Sequence, residues 1–410
     1  MSVGVPKWCG LALLLTAPMV VAQGAGDVRL RGSVAALALD ASDVLAGKKH
    51  TLGVNGRMEV EAGLNSDLDV RFKVERSSSR DFGNQTRDHW LSEAFLRYQG
   101  EYVDLTLGRQ YLPAGRTDLM TLQDQFAPRD LTVQGLEDSE QRLALPAVRV
   151  DYFPDEVWTL TAAVIRQDRG YGMPFAVRTM LPGLGALNHD PAMGGLLRAE
   201  YRNGAWEGAL GLGWGRSPFS VFPLAEAARP TEATFPKERR LSFDGTLTTD
   251  HGVLRWDAVY ARRSIDGSYP GVSSSRWSAA IGFDRPLWAD ATLTAQWIYR
   301  NSGSVRDVAP SLADLARINR AVSLEFQSSQ QWATFSLKQA LGDAHDLEGI
   351  VIAGNARQRG VVARWSWKVA DSWGFGVRAQ ALSGRSDTLL KRLGPERQVY
   401  VELRRHFSRE

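Results

Sequence analysis

The sequence predicts an all-β protein: a transmembrane antiparallel up-and-down β-barrel of about eighteen strands, with sixteen as the alternative count. Three observations point there. Apolar and polar residues alternate in segments of about ten along nearly the whole chain, as barrel strands require. The connections between those segments alternate between short and long. An export leader opens the chain, and no later run is apolar and long enough to cross a bilayer as a helix.

The leader comes first. Lys7 supplies a positive charge, Trp8 to Ala22 is almost wholly apolar, and Val20-Val21-Ala22 precedes Gln23 with small residues where a signal peptidase reads. Residues 1–22 are read as a signal peptide and 23–410 as a single barrel domain. The one cysteine, Cys9, falls inside the leader, so the exported chain has neither disulfides nor thiolate chemistry. Charged residues make up 23% of the chain and mean hydropathy is −0.25, too polar for a helical membrane protein. With 49 basic and 46 acidic residues the net charge is +3, which gives no case for nucleic acid.

The strands follow in order. Leu52, Val54, Met58, Val60 and Ala62 alternate with Thr51, Asn55, Arg57, Glu59 and Glu61. Leu68, Val70, Phe72 and Val74 share one face, opposite Asp67, Asp69, Arg71, Lys73 and Glu75. Side chains two apart lie on one face of a strand, so each segment has an oily side and a charged side. The same pattern recurs at Val103–Leu107, Val148–Tyr152, Trp158–Val164, Leu197–Tyr201, Leu241–Leu247, Leu254–Tyr260, Trp277–Phe283, Leu293–Tyr299, Val361–Trp367 and Phe375–Ala379. It is faintest near 27–38, 320–328 and 397–407, which are counted as strands all the same.

Short connections carry turn residues: Gly63-Leu64-Asn65-Ser66, Gln99-Gly100-Glu101, Pro154-Asp155, Arg202-Asn203-Gly204, Thr249-Asp250-His251-Gly252, Ser329-Gln330 and Ala370-Asp371-Ser372. Longer ones lie near 39–49, 77–88, 111–141, 167–194, 215–237, 263–274, 301–319, 341–359 and 383–396. That alternation implies tight periplasmic turns, long extracellular loops and both termini in the periplasm. Trp158, Trp206, Trp332 and Trp373 each open a strand after a short turn, Trp288 sits in one, and Trp367 closes a strand before one. All six are expected at the periplasmic rim, where amphipathic rings favour the headgroup level. The alternative is that they pack in a core.

An exported β-sandwich also alternates, but so many hairpins would need two sandwiches and no linker divides the chain. Charge along the full length of each polar face suits a water-filled lumen. Lipid cannot satisfy a free sheet edge, so the sheet must close. The last segment places Val399, Val401, Leu403 and Phe407 on one face. It resembles the final strand of outer-membrane proteins, whose terminal aromatic the barrel-assembly machinery reads. Arg405 in an apolar slot and the trailing Ser408-Arg409-Glu410 depart from that pattern.

Residues 103–111 read Val-Asp-Leu-Thr-Leu-Gly-Arg-Gln-Tyr. The Gly108-Arg109-Gln110 ending resembles that of an early strand in the outer-membrane porin superfamily, just before a loop that folds into the lumen. The barrel pattern resembles porins over nearly the whole exported chain. The resemblance implies a constriction loop at 111–141, lined by Arg116, Asp118, Asp124, Arg129, Asp130, Glu137 and Asp138. Opposed carboxylates and guanidinium groups there would set a transverse field. The alternative is an ordinary external loop with solvated charges. Arg364, Lys368, Arg378 and Arg404 lie on polar faces of the last three strands and form a basic stripe. It would guide carboxylated solutes, or else serve only in cross-strand ion pairs.

No catalytic constellation emerges. The six histidines are scattered without metal-ligand spacing, and neither a nucleophile elbow nor a phosphate-binding glycine loop occurs. No cofactor, no metal and no enzymatic activity are expected. The expected function is a channel in the cell outer membrane for passive diffusion of small hydrophilic solutes, general or substrate-selective. Expected partners are outer-membrane lipid and lipopolysaccharide, the assembly machinery, and two further copies of the chain if it trimerises as general porins do. Two rivals stand beside this reading. One is an exporter of an anionic polysaccharide, similar to alginate-export barrels. The other is a loop-plugged barrel acting as a scaffold or adhesion protein.

Overall fold

In a computed structural model, eighteen antiparallel strands form a single closed sheet. The structure describes residues 28–43, 47–79, 91–112, 115–117, 122, 126–130, 141–170, 191–223, 234–265, 269–288, 290–302, 309–325, 327–385, 388 and 396–409. The predicted leader, 1–22, lies outside them. In chain order the strands are β1 (Val28–Asp43), β2 (Gly47–Gly63), β3 (Leu68–Ser79), β4 (Leu91–Gln99), β5 (Val103–Gln110) and β6 (Leu145–Tyr152). Then come β7 (Trp158–Gln167), β8 (Ala192–Asn203), β9 (Trp206–Arg216), β10 (Lys237–Thr249), β11 (Gly252–Arg263) and β12 (Ser275–Pro286). The last six are β13 (Ala291–Asn301), β14 (Ser329–Leu341), β15 (His345–Gly354), β16 (Gln358–Ala370), β17 (Trp373–Ser383) and β18 (Arg397–Arg409). One helix, α1 (Ala313–Val322), is described, in the connection between β13 and β14.

Each strand pairs with its chain neighbours, and β1 pairs with β18 from Leu30↔Arg409 to Ser42↔Arg397. That seam leaves no sheet edge, the one arrangement of strands that hydrocarbon tolerates. The faces divide as a barrel requires. Leu105, Leu107, Leu160, Val164, Leu241, Phe243, Ile281 and Phe335 point outward and are exposed. Asp151, Asp244, Asp257, Gln296, Glu402 and Arg404 point inward and are buried. Outward glycines are roofed by a ring from the next strand: Trp256 lies over Gly245 and Trp214 over Gly195.

Aromatics mark both ends of the outer surface. At the end carrying the short turns, Trp158 meets Tyr201 edge-on with ring centroids 5.1 Å apart, and Trp206 lies 5.0 Å from Trp256. At the loop end, Trp277 lies 4.8 Å from Tyr299, beside exposed Trp214 and Tyr260. Arg405, the apparent misfit in the last strand, points outward and its guanidinium lies 5.7 Å from the centre of the Trp373 ring.

The strand count agrees with expectation, but through two errors that cancel. Of residues 320–328, expected as a strand, 320–322 are the end of α1 and 323–324 the turn after it. Val322 and Leu324 alternate with Ser323 and Glu325 by accident, while Leu315, Ile318 and Val322 follow the helical period that packing selects. Leu324 has φ of 56°, which no strand accommodates. Conversely, 341–359 is not a long loop: it holds β15 between the turns 342–344 and 355–357. There Ile350 and Ile352 face inward beside outward Val351, so polarity does not alternate. The predicted loop at 39–49 is likewise mostly strand, since β1 and β2 leave only 44–46 between them.

Those errors also misplaced Trp332. Ser329-Gln330 is the start of β14 at the loop end, not a turn. Trp332 therefore sits at the opposite end from the predicted rim and faces inward, 1% exposed, its Nε1 donating to Gln358 Oε1 at 3.2 Å. Trp158, Trp206, Trp288, Trp367 and Trp373 are exposed on the outer surface at the turn end.

Candidate lumen site

The site is built from the segment that follows β5. Gly108 has φ of 132°, and a side chain there would collide with the Ala94 carbonyl, so only glycine permits this close strand ending. Arg109 donates to Ala144 O at 2.9 Å and pairs with Asp168, joining the roots of two loops. Gln110 is buried and donates to backbone carbonyls of Thr106 and Ala147, each at 3.3 Å. The three residues of the motif thus fix how the chain leaves the wall.

The described residues beyond it contact the inner wall in three places. Leu112 and Phe126 pack on inward-facing Leu145, Ala147, Ala163 and Ile165 of β6 and β7. Leu122 joins a second cluster with Val259, Ala280, Ile298 and Trp332 of β11–β14. Between these, Arg116 and Thr117 meet β8–β11. The Arg116 guanidinium contacts Glu200 at 3.0 Å, Asp244 at 3.0 Å, and Glu207. Its backbone N–H donates to Asp257 Oδ1 at 3.0 Å, and that of Thr117 donates to Oδ2 at 3.1 Å. Asp244, fully buried, also receives a two-pronged bond from Arg198 at 2.6 and 2.7 Å. Forked charge-assisted bonds of this kind fix direction as well as distance.

Of the other residues predicted for this loop, Asp118, Asp124, Glu137 and Asp138 lie outside the described residues. Arg129 and Asp130 stand on a short ladder in which Arg129 bridges Arg142 and Asp130 N donates to Gln141 O at 2.7 Å.

The basic stripe lies across the lumen. In a ring of eighteen, β18 is nine strands from β9 whichever way one counts, so β16–β18 face β7–β9. Arg364 and Arg378 are register partners on β16 and β17, and Arg378 is opposite Tyr400 on β18. Arg364 pairs with Glu348 at 2.9 Å, Arg404 with Glu402 at 2.6 Å, and Arg378 donates to Gln380 at 2.7 Å. Lys368, near the turn end, lies 3.4 Å from Asp371. Among the described residues, β14–β18 turn five cations inward (Lys338, Arg364, Lys368, Arg378, Arg404) against three carboxylates (Asp346, Glu348, Glu402), an excess of two positive charges. On β8–β11 the inward charges of the described strand residues balance, Glu200, Glu207, Glu238, Asp244 and Asp257 against Arg198, Arg202, Arg240, Arg255 and Arg263, and Arg116 is inserted among the carboxylates. An open pocket of about 630 Å³ follows the basic wall at the turn end, lined by Glu348, Arg364, Lys368, Glu402 and Arg404.

Sequence reasoning missed the loop-end filling of the barrel. Helix α1 buries Leu315, Ala321 and Val322 against Phe219 and Phe222 and the inner wall. Its Asn319, fully buried, accepts from Phe222 N at 2.7 Å and donates to Phe222 O at 3.0 Å and Pro270 O at 2.9 Å. One side chain thereby ties together three loops. Beside it, Glu238 pairs with Arg240 at 2.9 Å and Arg263 at 3.1 Å, and Arg263 reaches Glu325 at 2.7 Å. Only the helical spacing of Leu315, Ile318 and Val322 hinted at any of this.

Comparison with known proteins gives the fold a context. No protein-family profile matches the chain, and no curated protein is similar to it in sequence. Solved structures do match. OccK3 (OpdO) of Pseudomonas aeruginosa is 9% identical, with 93% of this chain and 96% of that chain covered and a TM-score of 0.58. OccAB4 of Acinetobacter baumannii is 7% identical, with 95% and 100% covered and a TM-score of 0.58. OccK5 (OpdH) of Pseudomonas aeruginosa is 10% identical, with 94% and 99% covered and a TM-score of 0.57. The likeness is one of fold: this chain has the architecture of a large porin-like barrel, matched over 93–95% of its length.

Proposed function

We propose that the protein is an outer-membrane channel through which small hydrophilic solutes diffuse passively, with a preference for anions. The observation that carries this is the pairing of walls: a basic stripe on β16–β18 faces the stretch of wall where Glu200 of β8 and Glu207 of β9 hold the inserted Arg116. A solute between them meets guanidinium groups on one side and carboxylates on the other, which orients dipolar molecules and selects by charge and width. The excess of cations on β14–β18 favours carboxylated solutes. Residues 111–141 would form the constriction, and the exposed tryptophans of the turn end would hold the barrel at the periplasmic interface.

Planar-bilayer recording tests this. In a salt gradient the purified protein gives discrete conductance steps and a reversal potential of anion-preferring sign. Replacing Arg364, Arg378 and Arg404 together by Gln moves that potential towards the cation side while steps persist. A second reading, a loop-plugged barrel that serves as scaffold or adhesin, is favoured by the apolar cluster that α1 builds inside the loop end. Absence of any conductance from correctly folded protein would overturn the channel in its favour.

A further inference from the structure

We propose that the outer surface of the barrel at the loop end of β9–β11 binds the phosphate groups of an acylated, phosphorylated sugar lipid in the outer leaflet. The start of β10 reads Lys237-Glu238-Arg239-Arg240, and alternation sends its odd members outward and its even members inward. The two faces are treated differently. Inside, Arg240 and the neighbouring Arg263 share Glu238. Outside, Lys237 is the register partner of Arg216 on β9, and Arg239 is the register partner of Arg262 on β11.

Like charges directly opposite each other on a sheet repel. Arg239 and Arg262 are such a pair, and Lys237 stands one outward row above Arg239. Lys237, Arg239 and Arg262 are exposed, and none has a carboxylate partner among the described residues. Trp214 stands in the row of Arg239 and Arg262, and the next outward row towards the turn end is exposed Leu212, Leu241 and Tyr260, the top of the apolar band. Two strand residues span about 7 Å. The cations therefore stand one headgroup layer above hydrocarbon, their stems lying along apolar side chains and their heads reaching upward.

A ligand for this surface needs concentrated negative charge at headgroup height and a tail that continues down the wall. A phosphate monoester carries close to two charges at neutral pH and offers three acceptor oxygens, which suits two adjacent guanidinium forks. Acyl chains would run over Leu241 and Phe243. A free anion would gain the first contact and not the second, so the lipid is the better occupant. The inference requires the loop end to face the outer leaflet; it does not require the lumen to conduct.

Native mass spectrometry of the detergent-solubilised barrel tests it, with bisphosphorylated lipid A, the same lipid stripped of phosphate, and inorganic phosphate as probes. The expected result is retention of the phosphorylated lipid alone. The double variant Arg239→Gln/Arg262→Gln weakens that retention about thirtyfold, the combined worth of two cations at an anionic lipid surface. Arg285→Gln, an outward cation at the turn end of β12, leaves it unchanged. Should the double variant fail to reach the compact heat-modifiable form, Lys237→Gln alone is expected to weaken retention severalfold. Equal retention of the stripped lipid, wild-type retention by these variants, or displacement by an equal amount of inorganic phosphate overturns the proposal.

Discussion

Arg116 stands where a loop meets the wall, and its consequences are those of a single charge shared by several partners. It contacts Glu200, Glu207 and Asp244 at once, and Arg198 serves Asp244 from the wall itself. Arg116→Ala removes one positive charge from the lumen and one anchor of the loop. The expected result is a larger single-channel current and a reversal potential shifted towards cations, read in the same bilayer recordings. Arg116→Lys keeps the charge but not the planar fork, so it restores the potential more than the current. Arg116 was legible in the sequence as a charged residue in a loop after a Gly-Arg-Gln ending. Its partners were not, because Glu200, Glu207, Asp244 and Asp257 lie on four neighbouring strands, β8–β11, and no local pattern says which stretch of wall a segment leaving β5 folds against.

At the scale of elements, α1 is a short helix with little to hold it except its surroundings. Its ten residues are too few for stability alone, so packing of Leu315, Ala321 and Val322 and the bonds of Asn319 must fix it. Asn319→Leu deletes three buried hydrogen bonds and leaves Phe222 N–H and two carbonyls unsatisfied, at a cost of about 1–3 kcal/mol for each orphaned group. The barrel itself survives, since its strands do not depend on the helix. The expected outcome is faster protease cleavage within 302–328 with the compact barrel band retained on gels. Cleavage no faster than in the wild type would show that the helix is held by something else. Period-2 reading failed here because a segment inside a barrel is buried on terms of its own. The same filling hid β15, whose inward Ile352 packs against the apolar cluster that the loops build inside the barrel, with Ile350 buried on the same face.

For the whole molecule, closure through β1 and β18 is the step on which everything else depends. Phe407 of β18 lays its ring over Gly32 of β1, and the Arg57 carbonyl crowds the same position from β2. Gly32→Val inserts bulk at that seam, and overpacking of this kind costs about 1–3 kcal/mol. The expected sign is a lower temperature for conversion of the compact unboiled band to the slow boiled band on gels, with no change in strand content by circular dichroism before conversion.

The sequence by itself determined the all-β barrel, the direction most strand faces point and the approximate strand number. Those follow from local rules: a period of two, turn chemistry, and the demand that lipid meet no unpaired backbone. Tertiary structure alone decided which charges meet across the lumen, which loops turn inward, and that residues 313–322 coil. These depend on contacts between residues far apart in the chain, such as Arg116 with Asp257 or Asn319 with Phe222, and a local pattern carries no record of them.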